Sequence, residues 1–157
     1  MAAIGDVDEA NCALGAATVL APDAFRVMLE RIQNEMFDLG ADLATPGDDF
    51  TPGDTALRIT AGQVARLEDE IDAMIAELAP LTSFILPGGS PAAAALHLSR
   101  ATIRRAERTA VEAAGSVALN PLALAYLNRL SDHLFVLARR VAKEGGGDVL
   151  WRPGATR

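Results

Sequence analysis

Residues 90–108 read SPAAAALHLSRATIRRAER, and this stretch decides how the rest of the chain is organised. Ser90 is a typical N-cap, Pro91 suits the first helical turn, and the alanines that follow have high helix propensity. Arg100, Arg104 and Arg108 recur every four residues, so they lie on one face of the predicted helix. Stacked like charges repel one another. The pattern therefore predicts an anionic partner, either a bound ligand or carboxylates of neighbouring helices or subunits.

An apolar loop precedes this helix. Residues 84–89 read FILPGG, in which Pro-Gly-Gly marks a turn and permits close approach of the backbone to a ligand or another chain. An aromatic-led loop therefore leads into a cationic helix. This combination suits a ligand with one flat or apolar part and one polyanionic part.

Composition restricts the class of protein. The chain has 157 residues, a formal net charge of −7, 50% hydrophobic residues and only 4% aromatic residues. These values are typical of a single helical bundle and argue against broad binding to nucleic acid or to an anionic membrane. No apolar run is long enough to span a membrane, and no signal peptide is visible. The single cysteine, Cys12, is predicted to lie in the core and fits a reducing, cytoplasmic compartment.

Periodic apolar residues predict four further helices. The first opens at Asp6, which forms an apparent capping box with Glu9, and the third is capped by Thr60. Asn120 followed by proline caps the fifth. The predicted ranges of the second, third and fifth helices are 24–43, 61–78 and 121–143. The expected fold is an all-α, five-helix bundle with largely antiparallel, ferritin-like up-down packing.

The last helix is apolar on more than one side, which predicts a central position. Its polar residues are therefore informative. Asn128, Ser131 or Asp132, Phe135 and Arg139 fall along one side at spacings of three and four. They can serve hydrogen bonding between helices or recognition of a ligand. After this helix, Trp151 lies in a short tail and can dock its indole on a neighbouring segment.

Several common chemistries lack their residues. There is no Walker A loop and no dinucleotide-binding glycine motif. His97 and His133 are the only histidines, and neither lies in a Glu-x-x-His motif, so neither a di-iron centre nor a zinc site is indicated. If the protein is an enzyme, we expect it to position reactive partners and to compensate charge.

Five stretches of the sequence resemble the PduO-type corrinoid adenosyltransferases. They are GDVDEANCALGAA (5–17), RIQNEMFDLGADLATP (31–46), RIT (58–60), FILPGGSPAAAALHLSRATIRRAER (84–108) and NPLALAYLNRLSDHLFVLARR (120–140). The resemblance covers nearly the whole chain. It implies a homotrimer of five-helix bundles with active sites between subunits. It also implies transfer of the 5′-deoxyadenosyl group of ATP to the cobalt of cob(I)alamin, with release of triphosphate.

The resemblance also implies roles for individual residues. Phe84 matches the phenylalanine at the lower face of the corrin, which excludes an axial ligand. Arg100 matches an arginine that contacts ATP and pairs with an acid of the neighbouring subunit, for which Asp8 is the match. The implied catalytic residues are Arg100, Arg104 and Phe84; the ATP-binding residues are Arg100, Arg104, Glu107, Arg108 and Asn128; and the cobalamin-binding residues are Phe84, Asp132 and Phe135.

The family also implies other components. Mg²⁺ is expected on the triphosphate, with no protein ligand assigned to it. A flavoprotein reductant and an adenosylcobalamin-dependent acceptor enzyme are expected as partners.

Family members carry a TGDxGxT-like segment before the GDVDE helix that wraps the ATP phosphates. Residues 1–157 are therefore expected to form a single domain that lacks this ATP-binding segment. The alternative is a non-catalytic module that binds or delivers adenosylcobalamin and uses its arginine helix for trimer contacts.

Overall fold

A computed structural model describes residues 1–53 and 56–155 of the chain. The ordered elements of this part are five α-helices, in agreement with the predicted all-α class. Their bounds are α1 (Ala2–Leu20), α2 (Asp23–Leu43), α3 (Ala61–Ile75), α4 (Pro91–Ala114) and α5 (Pro121–Glu144). None of the helices in the described ranges is long and apolar enough to cross a membrane.

Helices α1 and α4 pack against each other in opposite directions. Asp6 near the start of α1 accepts a hydrogen bond from Thr109 near the end of α4, so these two helices are antiparallel. Helix α5 packs against α4, α3 and α2, which confirms its central position. Twelve of its residues are buried. The hydrophobic core therefore lies around α5 and along the contact of α1 with α4.

Two predictions for α1 are wrong. The helix begins at Ala2, with Met1 at the N-cap position, and the predicted capping box does not form. Asp6 lies inside the helix, where its carboxylate accepts a 2.6 Å hydrogen bond from the Thr109 hydroxyl. Cys12 is exposed. Because α1 carries small apolar residues on all of its faces, the spacing of apolar residues did not distinguish its buried face from its exposed one.

The predicted caps of the other helices are confirmed. Ser90 accepts a hydrogen bond from the backbone N–H of Ala93, and Thr60 forms a complete capping box with Gln63. Asn120 caps α5. Helix α3 ends at Ile75, three residues before the predicted end, because the chain continues there in tighter turns, in which Glu77 N–H donates to Met74 O and Leu78 N–H donates to Ile75 O.

A buried ion pair fixes the long connection between α2 and α3. The Asp42 carboxylate accepts hydrogen bonds from Arg58 Nη1 at 2.7 Å, from the Ile59 backbone N–H at 2.8 Å and from Asn120 Nδ2 at 2.7 Å. Arg58 also donates to the backbone carbonyls of Asp42, Thr45 and Asp49. The connection is thereby tied to the end of α2 and the start of α5 at once.

A second polar cluster joins α2, α3 and α5. Buried Glu35 accepts hydrogen bonds from Arg31 and from the Tyr126 hydroxyl, the latter at 2.7 Å. Glu70 accepts from Arg31 and contacts His133 Nε2 at 2.8 Å. Burial raises the pKa of Tyr126 well above its ordinary value, and the adjacent Glu35 charge adds to this. The cluster thus pairs the Glu35 and Glu70 carboxylates, which would otherwise be costly between packed helices, while His133 Nδ1 has no partner among the described residues.

Candidate functional site

One cavity opens between the loop that precedes α4, the first turns of α4 and the middle of α5. Its volume is about 480 Å³, which is in the range of small-molecule sites. Most of the lining is apolar. The lining residues are Leu81, Ser83, Phe84, Ile85, Pro87, His97, Arg100 and Phe135.

Phe84 stands at the mouth of this cavity with its ring largely in solvent. The side chain is 76% exposed, which is unusual for a phenylalanine on an ordered loop. The loop is held in place because Phe84 O accepts a 2.8 Å hydrogen bond from the backbone N–H of Trp151. The phenyl ring is thus exposed at the cavity instead of being buried in the core.

Arg100 reaches the same cavity from α4. Its Nε is buried, and no residue in the described part of the chain accepts a hydrogen bond from it. A buried donor without a partner is costly unless a ligand or another chain supplies an acceptor. Arg100 is therefore prepared to bind a negatively charged or carbonyl oxygen.

In the next turns of α4, unlike at Arg100, the arginines have hydrogen-bond partners within the chain. Arg104 Nη1 forms a 2.6 Å ion pair with Glu107, and the other Glu107 oxygen accepts a 2.7 Å hydrogen bond from Asn128 Nδ2. Arg108 donates to the backbone carbonyl of Arg104. The structure thus joins four of the predicted nucleotide-site residues across α4 and α5. Glu107 orients both a guanidinium and an amide toward one surface.

His97 also lines the cavity, although no sequence motif indicates a role for it. The ring is buried and packs edge-on against Phe135, with centroids 6.2 Å apart. Burial lowers the pKa of His97, and the nearby Arg100 charge lowers it further. The sequence does contain one indication that His97 lies near the site. It precedes Arg100 by three residues, so both side chains lie on the same face of α4.

The remaining predicted residues separate into two groups. Phe135 lines the cavity, as expected for a residue that contacts a flat ligand. Asp132, one turn earlier on α5, is exposed outside the cavity and pairs with Arg129 at 3.0 Å. The i, i+3 spacing of Asp132 and Phe135 suggested a common direction, but α5 presents them to different neighbours.

Asp8 lies in a second cavity, of about 470 Å³, between α1 and α2. Asn11 and the largely exposed Phe37 are among the residues that line it. Within one chain, Asp8 and Arg100 therefore line different cavities.

Arg105 lies off the face that carries Arg100, Arg104 and Arg108. It pairs with Asp6 and Glu9 of α1. The hydrogen bond from Arg105 lowers the pKa of Glu9. Arg105 therefore finds its acids within the bundle, whereas Arg100 faces the cavity.

Comparisons with known proteins agree on one family. The family described as cobalamin adenosyltransferase matches residues 1–141. A corrinoid adenosyltransferase of Mycobacterium tuberculosis (strain H37Rv) is 48% identical over 161 residues, which cover 100% of this chain and 82% of that protein. A cobalamin adenosyltransferase of Cupriavidus metallidurans is 46% identical over 153 residues, covering 96% and 79% of the two chains.

Solved structures show the same similarity. A variant of the PduO-type ATP:corrinoid adenosyltransferase from Lactobacillus reuteri, complexed with cobalamin and ATP, superposes with a TM-score of 0.87. Its sequence is 36% identical, and the match covers 97% of this chain and 83% of the other. The similarity thus extends to the three-dimensional arrangement of the helices.

Proposed function

Because this chain belongs to the PduO-type family of cobalamin adenosyltransferases, we propose which of its residues bind the corrinoid and which bind ATP. It is an enzyme that uses ATP to adenosylate cobalamin. One observation carries the proposal. The exposed ring of Phe84 and the half-buried guanidinium of Arg100 line the same cavity. Family membership favours the enzyme over a non-catalytic carrier module.

The apolar side of the cavity is the proposed corrinoid site. Phe84 and Phe135 offer flat hydrocarbon surfaces and no lone pair to a metal. With Phe84 below the corrin, cobalt(II) has no axial ligand on that side. This favours its reduction to the nucleophilic cobalt(I). The proposed corrinoid site contains Phe84 and Phe135 but not Asp132.

The arginine side is the proposed nucleotide site. Cobalt(I) supplies the electron pair of the new bond to C5′ of ATP, the C5′–oxygen bond breaks, and triphosphate leaves with that bond's electrons. Arg100 and Arg104 compensate the negative charge that grows on the leaving oxygens. Glu107 fixes the direction of Arg104 and of the Asn128 amide, which leaves Asn128 oriented toward the nucleotide.

We propose that each site is completed by a second copy of the chain in a homotrimer. Within one chain, the proposed partners Asp8 and Arg100 line separate cavities. Large apolar side chains on the outer faces of the helices support an interface between copies; among them Phe37 is 70% and Leu98 is 62% exposed. Asp8 of one copy would then contact Arg100 of the next copy. Its carboxylate would accept the hydrogen bond for which Arg100 Nε has no acceptor among the described residues of one chain.

Mg²⁺ is proposed to enter on the nucleotide. Among the described residues no group of three or more histidine, cysteine or acidic side chains is arranged to hold a metal ion. These residues therefore do not form a protein cage for the ion. Magnesium is commonly bound through substrate phosphates with several waters.

The chemistry also indicates partners. Cob(I)alamin is consumed, so an electron donor must supply it, and we propose a flavoprotein reductant on the family resemblance. The product is a cofactor, so an adenosylcobalamin-dependent enzyme is the proposed acceptor. Use of ATP and the single cysteine fit a cytoplasmic location.

The decisive test compares two arginines with similar surroundings. Arg104 and Arg26 are 45% and 46% exposed, and each pairs with an acid three residues away. Arg104→Ala is expected to lower turnover of reduced cobalamin with Mg-ATP by at least about a hundredfold, as for other groups that stabilise a developing anion. Arg26→Ala should leave turnover unchanged. Unaltered circular dichroism would show that both variants fold, and full activity of Arg104→Ala would contradict the proposal.

A further inference from the structure

The tail after α5 returns to the cavity and lies along the Phe84 loop. Its backbone runs antiparallel to the loop, with Ile85 opposite Leu150. Leu86 N–H donates to Val149 O at 2.7 Å, and Trp151 N–H donates to Phe84 O at 2.8 Å. Two short segments that are far apart in sequence thus form a small ladder at the cavity mouth.

Side chains extend this contact. The Phe84 and Trp151 rings meet edge to face, with centroids 5.9 Å apart and planes inclined by 66°. Ser83 Oγ also donates to Trp151 O at 3.1 Å. Edge-to-face geometry is the favoured arrangement of aromatic pairs. The contact restricts the directions that the otherwise exposed Phe84 ring can adopt.

The base of the tail is anchored to the bundle. Arg139 of α5 forms a 3.0 Å ion pair with Asp148, and its Nη2 donates to Ala79 O at 2.8 Å. Arg139 is well buried, with 11% of its side chain exposed. One α5 side chain thus holds the tail and the start of the Phe84 loop at a fixed separation.

We propose that Trp151 is a positioning residue for Phe84. Its indole holds the phenyl ring in the orientation that covers the lower face of the corrin, while Trp151 itself need not touch cobalt. The inference rests on the function proposed for Phe84. It predicts an effect on cobalt coordination and no effect on nucleotide binding, because no hydrogen bond or ion pair joins Arg104 or Arg108 of α4 to the tail as far as residue 155.

The test uses two neighbouring residues of the tail. Trp151 and Leu150 are 44% and 45% exposed, but successive side chains of an extended segment point to opposite sides. Trp151→Ala should reduce the proportion of four-coordinate cobalt(II) cobalamin, measured by electron paramagnetic resonance with ATP bound, by about three- to tenfold, the equivalent of one aromatic contact. The KM for ATP should not change. Trp151→Phe should restore most of the signal, and Leu150→Ala should match the wild type.

Phe84→Ala, measured alone and with Trp151→Ala, separates this inference from the function on which it rests. If Trp151 acts through Phe84, its replacement has no further effect in the Phe84→Ala background. A wild-type spectrum for Phe84→Ala would contradict the proposed function of Phe84 itself. A changed spectrum for Phe84→Ala with a wild-type spectrum for Trp151→Ala would overturn only the positioning role. Loss of helix in Trp151→Ala by circular dichroism would assign the indole to the fold and would also overturn it.

Discussion

Removal of the Asp42 carboxylate should destabilise the fold more than almost any other single truncation of a polar side chain. Asp42 is 1% exposed and receives three hydrogen bonds, from Arg58, Ile59 and Asn120. Asp42→Ala leaves the Arg58 guanidinium, which is 8% exposed, without a counter-charge. An uncompensated buried charge of this kind costs about 3–5 kcal/mol.

The lower end of that range applies here. Arg58 keeps its hydrogen bonds to three backbone carbonyls and its position 5.4 Å from the centre of the Phe50 ring. We therefore expect a loss of about 3 kcal/mol in the free energy of unfolding. For a domain of this size, that lowers the melting temperature by about 6–12 °C. Thermal and urea unfolding followed by circular dichroism measure both quantities.

Two further variants make the reasoning refutable. Asp48→Ala removes an exposed carboxylate from the same connection and should change the free energy of unfolding by less than about 0.5 kcal/mol. Asp42→Ala combined with Arg58→Met removes both charges and should recover part of the loss. A loss below about 1 kcal/mol for Asp42→Ala, or no recovery in the double variant, would show that the buried pair does not hold the connection in place.

Three other predictions concern buried or half-buried titratable groups. Partial burial opposes ionisation of Glu70, but the hydrogen bond and charge of His133 together with the Arg31 guanidinium outweigh it and lower the pKa of Glu70. Glu70→Gln should therefore destabilise the protein above pH 4.5, the ordinary value for this carboxyl, and the difference should vanish in urea titrations as the pH falls through the lowered pKa. Burial lowers the pKa of His97, so below pH 6.5 the unfolded chain binds a proton more readily than the folded chain does. The melting temperature should therefore fall as the pH drops from 6.5. His97→Gln should make the melting temperature less dependent on pH in this range. Tyr126→Phe removes the hydroxyl that donates to Glu35 and should cost about 1.5–3 kcal/mol in the free energy of unfolding, measured by urea denaturation. A neutral effect would mean that the hydrogen bonds from Arg31 and Arg66 suffice to satisfy Glu35.

Much of the fold could be predicted from local sequence signals. Ser90, Thr60 and Asn120 mark helix starts because a cap satisfies backbone groups within its own turn. The capping prediction at Asp6 was wrong, since this side chain binds Thr109, a residue 103 positions away. A carboxylate near a helix start looks the same in the sequence whether it caps the helix or pairs across the bundle.

In the candidate site, too, some residues could be predicted from the sequence and others could not. The sequence predicted that Phe84 and Arg100 would serve one ligand, and the structure places both on one cavity. His97 and the contact of Trp151 with Phe84 required coordinates. Neither residue lies in a motif with an obvious chemical role.

By itself the sequence determined the number and type of the helices, most of their starts, the cationic face of α4 and the family of the chain. These properties depend on residue identities at fixed short spacings, which an α-helix converts directly into faces and caps. The tertiary structure decided which arginine is paired, as Arg105 is with α1, and which faces the cavity, as Arg100 does. Those choices depend on how the helices rotate and cross. That arrangement is set by packing over the whole core and not by any one segment.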